Sequence, residues 1–253
     1  MTFRKPALFQ QFTELVAAES TRHGGVSVAP YDSLNLGINT DDLPENVAEN
    51  RRLFFDELEI SEQQFASAYQ VHGEEILIVE EPGRYEGYDA FITNQAGIFV
   101  GVTVADCTPI LIYDAQNQAV AAIHAGWRGT VAQLVAKTLK AMQQQFGTRP
   151  EGCYAYVGTC IDACSFEVGE EVATQFSDEF KQLNPTRDKY LVNLKAANLS
   201  QLVAFGIPQN QIETSAYSTV LNNADYFSYR HEMAKRRGRP CGRMLAVIGV
   251  KNH

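Results

Sequence analysis

Apolar residues recur at helical spacing in several separate stretches of the chain. In the clearest stretch, which follows Gly129-Thr130 and ends before Gly147, the apolar positions are Val131, Leu134, Val135, Leu139, Met142 and Phe146. This pattern predicts an amphipathic helix that begins near Gly129-Thr130. Similar patterns predict three more helices, at Pro44–Leu58, Val168–Phe180 and Leu194–Phe205.

Short apolar runs bounded by polar and turn residues lie between these helices. They predict strands at Ile76–Glu80, Ala90–Thr93, Ile98–Val104, Ile110–Tyr113, Ala119–His124, Cys153–Gly158, Gln211–Thr214 and Met244–Val250. Only a short turn separates Ile110–Tyr113 from Ala119–His124, which predicts a β-hairpin. Strands that alternate with helices are typical of an α/β fold, although this pattern does not give the order of strands in a sheet.

Nothing in the sequence marks a domain boundary. The 253 residues contain no low-complexity tract, no fixed-period repeat and no linker rich in Pro, Gly or Ser. Hydrophobic residues make up 45% of the chain and charged residues 20%, which supplies enough apolar material for one sizeable core. We therefore expect residues 1–253 to form a single domain.

The charge balance argues against some classes of partner. With 21 Lys and Arg against 30 Asp and Glu, the net charge is −9, which disfavours nucleic acid and anionic membranes and favours a small-molecule substrate. No stretch approaches the roughly 18 consecutive apolar residues of a membrane helix. The five cysteines are irregularly spaced and form no disulfide framework. We expect a cytoplasmic protein with reduced thiols, in which the basic run at 235–239 is a solvated loop.

Two histidines and one cysteine lie at the ends of apolar runs. His72 precedes Gly73, His124 ends a predicted strand shortly before Gly126, and Cys107 follows another predicted strand. Functional residues often lie at strand ends in α/β folds. Two imidazoles and one thiolate suit zinc, and three protein ligands leave a fourth position for water or substrate. These residues are therefore candidate ligands of a catalytic metal site.

The same three residues also have a simpler interpretation. His72 and His124 are then ordinary hydrogen-bonded histidines, and Cys107 is a small buried apolar residue. The separations of 35 and 17 residues match no compact zinc motif, so spacing alone leaves both interpretations open.

The segment from Gly126 to Gly129 connects the second histidine to the strongest predicted helix. Backbone N–H groups at a helix start, together with the cation of Arg128, predict a phosphate or carboxylate pocket. The alternative is a strand-to-helix turn with an exposed arginine and a packing tryptophan. Asp106 also has two interpretations, as a residue that orients a ligand or carries a proton, or as a turn residue that caps backbone.

Taken together, these motifs resemble the YfiH family, also called laccase-domain or multicopper polyphenol oxidase-like proteins. The resemblance runs end to end, and His124-Ala-Gly-Trp-Arg-Gly129 with the upstream cysteine is its most specific part. The other matching stretches are Ser20–Ser27, Ser33–Leu36, Asn50–Arg51, Gln70–Gly73, Ala105–Pro109, Phe166–Gly169 and Phe227–Arg230.

The resemblance implies an α/β fold of mixed sheets in an α-β-β-α sandwich, related to bacterial toxin deamidases. It implies zinc, rather than copper, at His72, Cys107 and His124, and phosphorolysis of purine nucleosides, methylthioadenosine included, with adenosine deamination as a second reaction. Cys107, His72, His124 and Asp106 are then the catalytic group. Phosphate is expected at Arg128 and Gly129, and family resemblance and polar character add three substrate contacts: Asn35, Arg51 and Arg230.

Three other functions remain open on the sequence. Cys107 activated by a histidine would make a hydrolase, such as an amidase acting on cell-wall (peptidoglycan) precursors. A multicopper oxidase needs more copper ligands than five histidines and one suitable cysteine provide. A structural zinc protein would need a fourth protein ligand, for which the candidates are Cys160, Cys164 and His231. The sequence does not indicate an oligomeric state.

Overall fold

The computed structural model describes residues 1–236 and 240–252, with the side chains of 235 and 236 left out. Of the basic run at 235–239, which we expected to be a solvated loop, residues 237–239 lie outside this description, whereas the backbone of 235 and 236 is helical. Within the described residues, no helix has the length and the apolar character that are needed to cross a membrane.

Strands dominate the described part of the chain. In chain order they are β1 (Phe3–Arg4), β2 (Leu15–Ser20), β3 (Phe65–Tyr69), β4 (Ile76–Ile78), β5 (Gly83–Glu86), β6 (Ala90–Thr93), β7 (Phe99–Val104), β8 (Thr108–Asp114), β9 (Ala119–Ala125), β10 (Cys153–Val157), β11 (Glu167–Val168), β12 (Lys181–Asn184), β13 (Lys189–Val192), β14 (Ile212–Thr214) and β15 (Met244–Val250). The α-helices are α1 (Pro44–Glu57), α2 (Trp127–Val131), α3 (Leu134–Phe146), α4 (Glu170–Ala173), α5 (Leu194–Phe205) and α6 (Tyr229–Arg236).

Most of the described strands belong to two mixed sheets. The first sheet has the order β1-β2-β15-β7-β3-β5, and the second has the order β14-β10-β8-β9-β6-β4. Both contain parallel and antiparallel neighbours, for example β3 with β5 in the first sheet and β8 with β9 in the second. A smaller antiparallel sheet, β11-β13-β12, lies outside these two.

The two large sheets pack face to face on a shared apolar layer. Side chains of both sheets enter this layer, among them Val100 from β7 and Leu111 from β8. Helix α1 covers the outer face of the first sheet through residues such as Phe54. Helices α3 and α5 cover the outer face of the second sheet through Leu139 and Leu202. The fold is therefore the α/β sandwich with mixed sheets that the family resemblance implied.

Many of the predicted elements are confirmed. Helix α5 and strands β6 and β15 have the predicted bounds, and α1 ends one residue earlier than predicted. The predicted hairpin is confirmed as β8 and β9, which pair antiparallel from Thr108 opposite Ala125 to Asp114 opposite Ala119.

The helix predicted at Val168–Phe180 is wrong. Its first residue belongs to β11 and pairs with Tyr190 of β13. Only the four residues Glu170–Ala173 form an α-helix. At the end of the segment, the carbonyl of Phe180 accepts a hydrogen bond from the backbone N–H of Asn193. Pairing with the small sheet therefore overrides the helical spacing of the apolar residues.

The helix predicted to begin near Gly129-Thr130 is interrupted. Gln133 has a left-handed backbone, with φ 62°, and separates α2 from α3. The side chain of Gln201 satisfies both sides of the break, because it donates to the Thr130 carbonyl at 3.0 Å and accepts from the Ala136 N–H at 3.2 Å. The segment after the second histidine therefore opens a helix of 5 residues, and the long helix begins only at Leu134.

The core shared by the two sheets predicts that truncating two leucines to alanine lowers the free energy of unfolding by unequal amounts. Leu111 is fully buried between the sheets, whereas Leu221 is 65% exposed. We expect Leu111→Ala to lower the free energy of unfolding by about 2–5 kcal/mol, because it removes a buried side chain and leaves a cavity. Leu221→Ala should change it by less than about 0.5 kcal/mol. Urea denaturation of both variants measures the difference, and equal losses would contradict a core shared by the two sheets.

Candidate functional site

Three candidate ligand atoms converge at one end of the second sheet. The structure offers one ligand atom from each of His72, Cys107 and His124, and these three atoms lie within 4.8 Å of one another. The two imidazole rings meet edge to face, with their centroids 4.7 Å apart. His124 is buried, Cys107 is half-buried and His72 is exposed, so the group is open to solvent on the His72 side. The structure thus assembles all three residues that the sequence suggested as ligands.

The register of the hairpin brings Cys107 and His124 together. Because Thr108 lies opposite Ala125, the residues that flank this pair, Cys107 and Gly126, meet just beyond the strand ends. A β-carbon on Gly126 would lie 3.1 Å from the Cys107 sulfur and 3.3 Å from the imidazole of His72. Glycine at this position therefore leaves space beside both side chains for a bound group.

Asp89 links the two histidines and was not among the residues that the sequence suggested. It directly precedes β6, and the pairing of Ala90 with Ile123 sets Asp89 opposite His124. The His124 backbone N–H donates to the Asp89 carbonyl at 2.7 Å, and the His124 ring Nδ1 lies 2.7 Å from Asp89 Oδ1. The only sequence signal was an acidic residue directly before a predicted strand.

The loop that carries His72 is held by the same carboxylate. The backbone N–H groups of Val71, His72 and Gly73 all donate to Asp89, at 3.2, 3.1 and 2.7 Å. His72 itself has a left-handed backbone, with φ 58°. Just before the loop, the Gln70 side chain exchanges hydrogen bonds with the Thr103 backbone, which anchors the end of β3 beside β7.

The opposite charges in this cluster stabilise one another. Burial disfavours the charged forms, but the attraction between Cys107 and His124 raises the pKa of the imidazole above its ordinary value and lowers the pKa of the thiol below its own. His72 also hydrogen-bonds to the sulfur and lowers the pKa of the thiol further. Although burial opposes it, hydrogen bonds from His124 and from the loop N–H groups keep the pKa of Asp89 below its ordinary value. Cys107 therefore favours the thiolate form, which is the form that binds metals.

Asp106 uses its carboxylate to hold neighbouring backbone in place. It accepts from the Thr219 hydroxyl at 2.5 Å and from the Arg230 backbone N–H at 2.6 Å, and its carbonyl accepts from the Ile161 N–H at 3.0 Å. These contacts fit the interpretation of Asp106 as a residue that caps backbone next to Cys107. Proton transfer by Asp106 stays a prediction.

The segment with Arg128 forms the short helix α2 next to the loop that carries His72. Gly129 packs closely against the loop that carries His72, since a β-carbon on Gly129 would lie 3.3 Å from the Gly73 carbonyl oxygen. Trp127 packs against the apolar cluster under the small sheet. The exposed Arg128 stacks over the indole of Trp127, with its guanidinium carbon 4.6 Å from the ring centroid. Because α2 has only 5 residues, the dipole of a long helix does not point at this site, contrary to the sequence prediction.

The other predicted substrate contacts are engaged with protein groups. Asn35 is fully buried, and its side chain bonds to Thr40, Asp42 and the backbone of Gly37 and Arg243. Arg51 lies on the buried face of α1 and donates to Glu62 and the Leu36 carbonyl. The Arg230 guanidinium donates to the carbonyls of Ser165 and Glu167. Substrate binding by these three residues stays a prediction.

A closed structural site would need a fourth protein ligand. Among residues 1–236 and 240–252, the group of His, Cys, Asp and Glu side chains close enough to share an ion has three members. Cys160 is buried and bonds to the Ile161 carbonyl, whereas Cys164 is exposed and bonds to Asp162. Neither these cysteines nor His231 belongs to the group, so the arrangement is that of an open site.

Known proteins resemble this chain over almost its full length. A family model described as multi-copper polyphenol oxidoreductase laccase matches residues 16–251. A purine nucleoside phosphorylase of Bacteroides thetaiotaomicron is 36% identical, over 91% of this chain and 90% of its own length. The purine nucleoside phosphorylase YfiH of Escherichia coli is also 36% identical, over 92% of this chain and 93% of its own length.

Solved structures agree with these sequence relatives. The crystal structure of Bacillus licheniformis YfiH matches with a TM-score of 0.90 at 28% identity, over 98% of this chain and 99% of that one. The crystal structure of YlmD from Geobacillus stearothermophilus also gives a TM-score of 0.90, at 30% identity over 99% of both chains. The chain therefore belongs to the YfiH family of laccase-like proteins, as its motifs implied.

Proposed function

We propose that the protein is a zinc-dependent purine nucleoside phosphorylase whose metal ligands are His72, Cys107 and His124. The observation that carries this proposal is the group of three ligand atoms within 4.8 Å of one another, without a fourth protein ligand among the described residues. Relatives that share about a third of the sequence over nine-tenths of the chain are named purine nucleoside phosphorylases. The candidate substrates are adenosine, inosine and methylthioadenosine, with phosphate.

The residues of the site fit zinc better than other metals. A thiolate and two imidazoles form the nitrogen and sulfur donor set that zinc accepts, and three protein ligands are usual at catalytic zinc sites. Because residue 126 is a glycine, no β-carbon from this position crowds the Cys107 sulfur and the His72 imidazole. A multicopper oxidase would need several copper centres, whereas the described residues provide one such group.

Phosphorolysis requires phosphate and nucleoside to meet in line. A phosphate oxygen forms a bond to the anomeric carbon while the bond from that carbon to the purine nitrogen breaks, and the base leaves with the bonding electrons. When bound, zinc supplies Lewis-acid stabilisation of developing negative charge. In this proposal, His72, Cys107 and His124 hold the metal, and Gly126 leaves space for substrate beside them.

Arg128 is the residue that we assign to phosphate. Its guanidinium is exposed and stacks on Trp127, and no carboxylate partner is found for it among the described residues. It lies two positions after Gly126, which borders the ligand group. In a chain with a net charge of −9, an exposed cation that lacks a carboxylate partner gives local attraction for an anionic substrate. Adenosine deamination would use the same centre and would differ in needing no phosphate.

A second candidate function is a cysteine hydrolase. The observation that favours it is the chain of contacts from Asp89 through His124 to Cys107, since a nucleophile, a base and a residue that orients the base form this arrangement. Such an enzyme would attack an amide carbonyl, for example in a cell-wall precursor, and would work without metal. Metal content therefore distinguishes the two candidates.

Product analysis tests the phosphorylase directly. Zinc-loaded protein incubated with adenosine should release adenine and ribose 1-phosphate only when phosphate is present, whereas inosine formed without phosphate would indicate deamination. Cys107→Ala should lower either rate by more than about 100-fold, because even loss of residues behind metal ligands lowers activity 10–100-fold. If wild-type protein forms neither product, the purine assignment fails.

Alkylation of Cys107 tests the metal against the nucleophile. We expect about one zinc per chain, and slow reaction of Cys107 with iodoacetamide until a chelator removes the metal, because a coordinated thiolate is protected. The exposed Cys164 provides the internal control, since its reaction rate should not depend on the chelator. Metal-free purified protein that reacts rapidly at Cys107 would favour the hydrolase.

Arg128→Ala tests the phosphate contact. The variant should have a KM for phosphate about 10- to 100-fold higher, because hydrogen bonds to charged groups contribute about 1.5–3 kcal/mol. Arg52→Ala is the matched control, since it removes the same charge from the exposed outer helix α1. Steady-state kinetics with varied phosphate measure both variants, and an unchanged KM in Arg128→Ala would exclude this residue as the phosphate contact.

A further inference from the structure

We infer that Asp89 is the positioning residue that assembles the metal centre before metal binds. Its carboxylate fixes the ring of one ligand, His124, and the backbone of another, His72. The inference rests on the metal centre of the proposed function, although it does not depend on which substrate the centre acts on.

The hydrogen bonds of Asp89 exclude it as a ligand. Its side chain is fully buried, and the two oxygens together receive four hydrogen bonds. A buried carboxylate is stabilised only when its acceptor sites are used in this way. Its oxygens are also not part of the group of atoms close enough to share an ion. Asp89 therefore acts on the metal through the residues that it contacts.

For His124, the contact determines which ring nitrogen faces the metal. Nδ1 lies 2.7 Å from Asp89 Oδ1, and because a carboxylate can only accept, the Nδ1–H group donates this hydrogen bond. The lone pair of a neutral imidazole then lies on Nε2, the nitrogen that remains for a ligand. The backbone of His124 also donates to the Asp89 carbonyl, so main chain and ring are held by the same residue.

For His72, the contact holds an unusual backbone conformation. Three consecutive N–H groups, at residues 71 to 73, point at one carboxylate while the middle residue has φ 58°. Left-handed backbone is unfavourable for a residue with a side chain, so it persists only where the surroundings hold it. The carboxylate supplies that restraint to a loop whose histidine is exposed to solvent.

Both effects act on metal affinity before any substrate binds. Without the carboxylate, the His124 ring is free to rotate or to change tautomer, and the His72 loop loses its three backbone hydrogen bonds. Metal binding must then order both ligands. Loss of a residue that orients metal ligands typically weakens metal binding by about 10- to 100-fold.

Asp114 offers a matched control in the same sheet. It is also a fully buried aspartate, and it accepts from the backbone of Gln116 and Asn117 and from the Asn117 side chain. It lies at the turn of the β8–β9 hairpin, whereas the ligands lie at the open end, about 20 Å away at ~3.4 Å per residue. Asp114→Asn therefore disturbs a comparable hydrogen-bonded turn without reaching the metal ligands.

The experiment measures the zinc dissociation constant of the full chain by competition with a chromophoric chelator. Asp89→Asn should bind zinc about 10- to 100-fold more weakly than wild type, while Asp114→Asn should stay within about twofold of it. The absorption spectrum of the cobalt-substituted proteins gives a second measurement. It should change in Asp89→Asn, because the ligand geometry changes, and stay unchanged in Asp114→Asn.

Equal zinc affinity in wild type and Asp89→Asn, or equal weakening in both variants, would overturn the inference. If Asp89→Asn does not fold, Asp89→Glu replaces it. Glutamate keeps the charge but displaces the carboxylate by one methylene, so wild-type affinity in that variant would also overturn the inference. Wild-type protein that binds no zinc would instead refute the metal centre itself, which separates failure of the proposed function from failure of this inference.

Discussion

The pairings of β9 with its two neighbours, β6 and β8, determine where the groups of the site lie. Because Ala90 is set against Ile123, Asp89 meets His124 just outside the pair, and β4 on the other edge of β6 brings in the loop of His72. On the far side of β9, the hairpin register places Cys107 beside Gly126. A shift of one residue in either pairing would turn alternate side chains to the opposite face and separate these groups. The chemistry of the site therefore depends on backbone hydrogen bonds between apolar strands.

The sequence suggested the three candidate ligands that the structure brings together, but not the aspartate that contacts two of them. His72, Cys107 and His124 were suggested by chemical type, by neighbouring glycines and by family motifs. Asp89 carries no such signal, since its role exists only once β6 lies beside β9, and strand order cannot be read from local patterns. For the same reason, the sequence could not show that the polar groups of Asn35 and Arg51 form hydrogen bonds with neighbouring protein atoms.

The fold was predictable where local pattern and tertiary context agree. Helix α5 and strand β15 match their predictions, because in each an apolar run also becomes buried. The short polar strand β5, Gly83–Glu86, was missed because it lies largely exposed at the edge of its sheet and lacks apolar alternation. Helical spacing near Val168 was misleading because that residue pairs with Tyr190 instead. Pairing between strands that are distant in the sequence therefore explains the elements that local patterns did not predict.

The position of β15 has a consequence for how the molecule forms. This strand, at residues 244–250, lies inside the first sheet between β2 and β7, with antiparallel pairing on both sides. The hairpin that carries Cys107 and His124 closes over a short turn and needs no distant segment. During synthesis on a ribosome, the sheet that contains this hairpin can therefore begin to order before the central strand of the opposite sheet has been made. Such non-local pairing slows folding and leaves apolar strand edges open to chaperones or to aggregation in the interval.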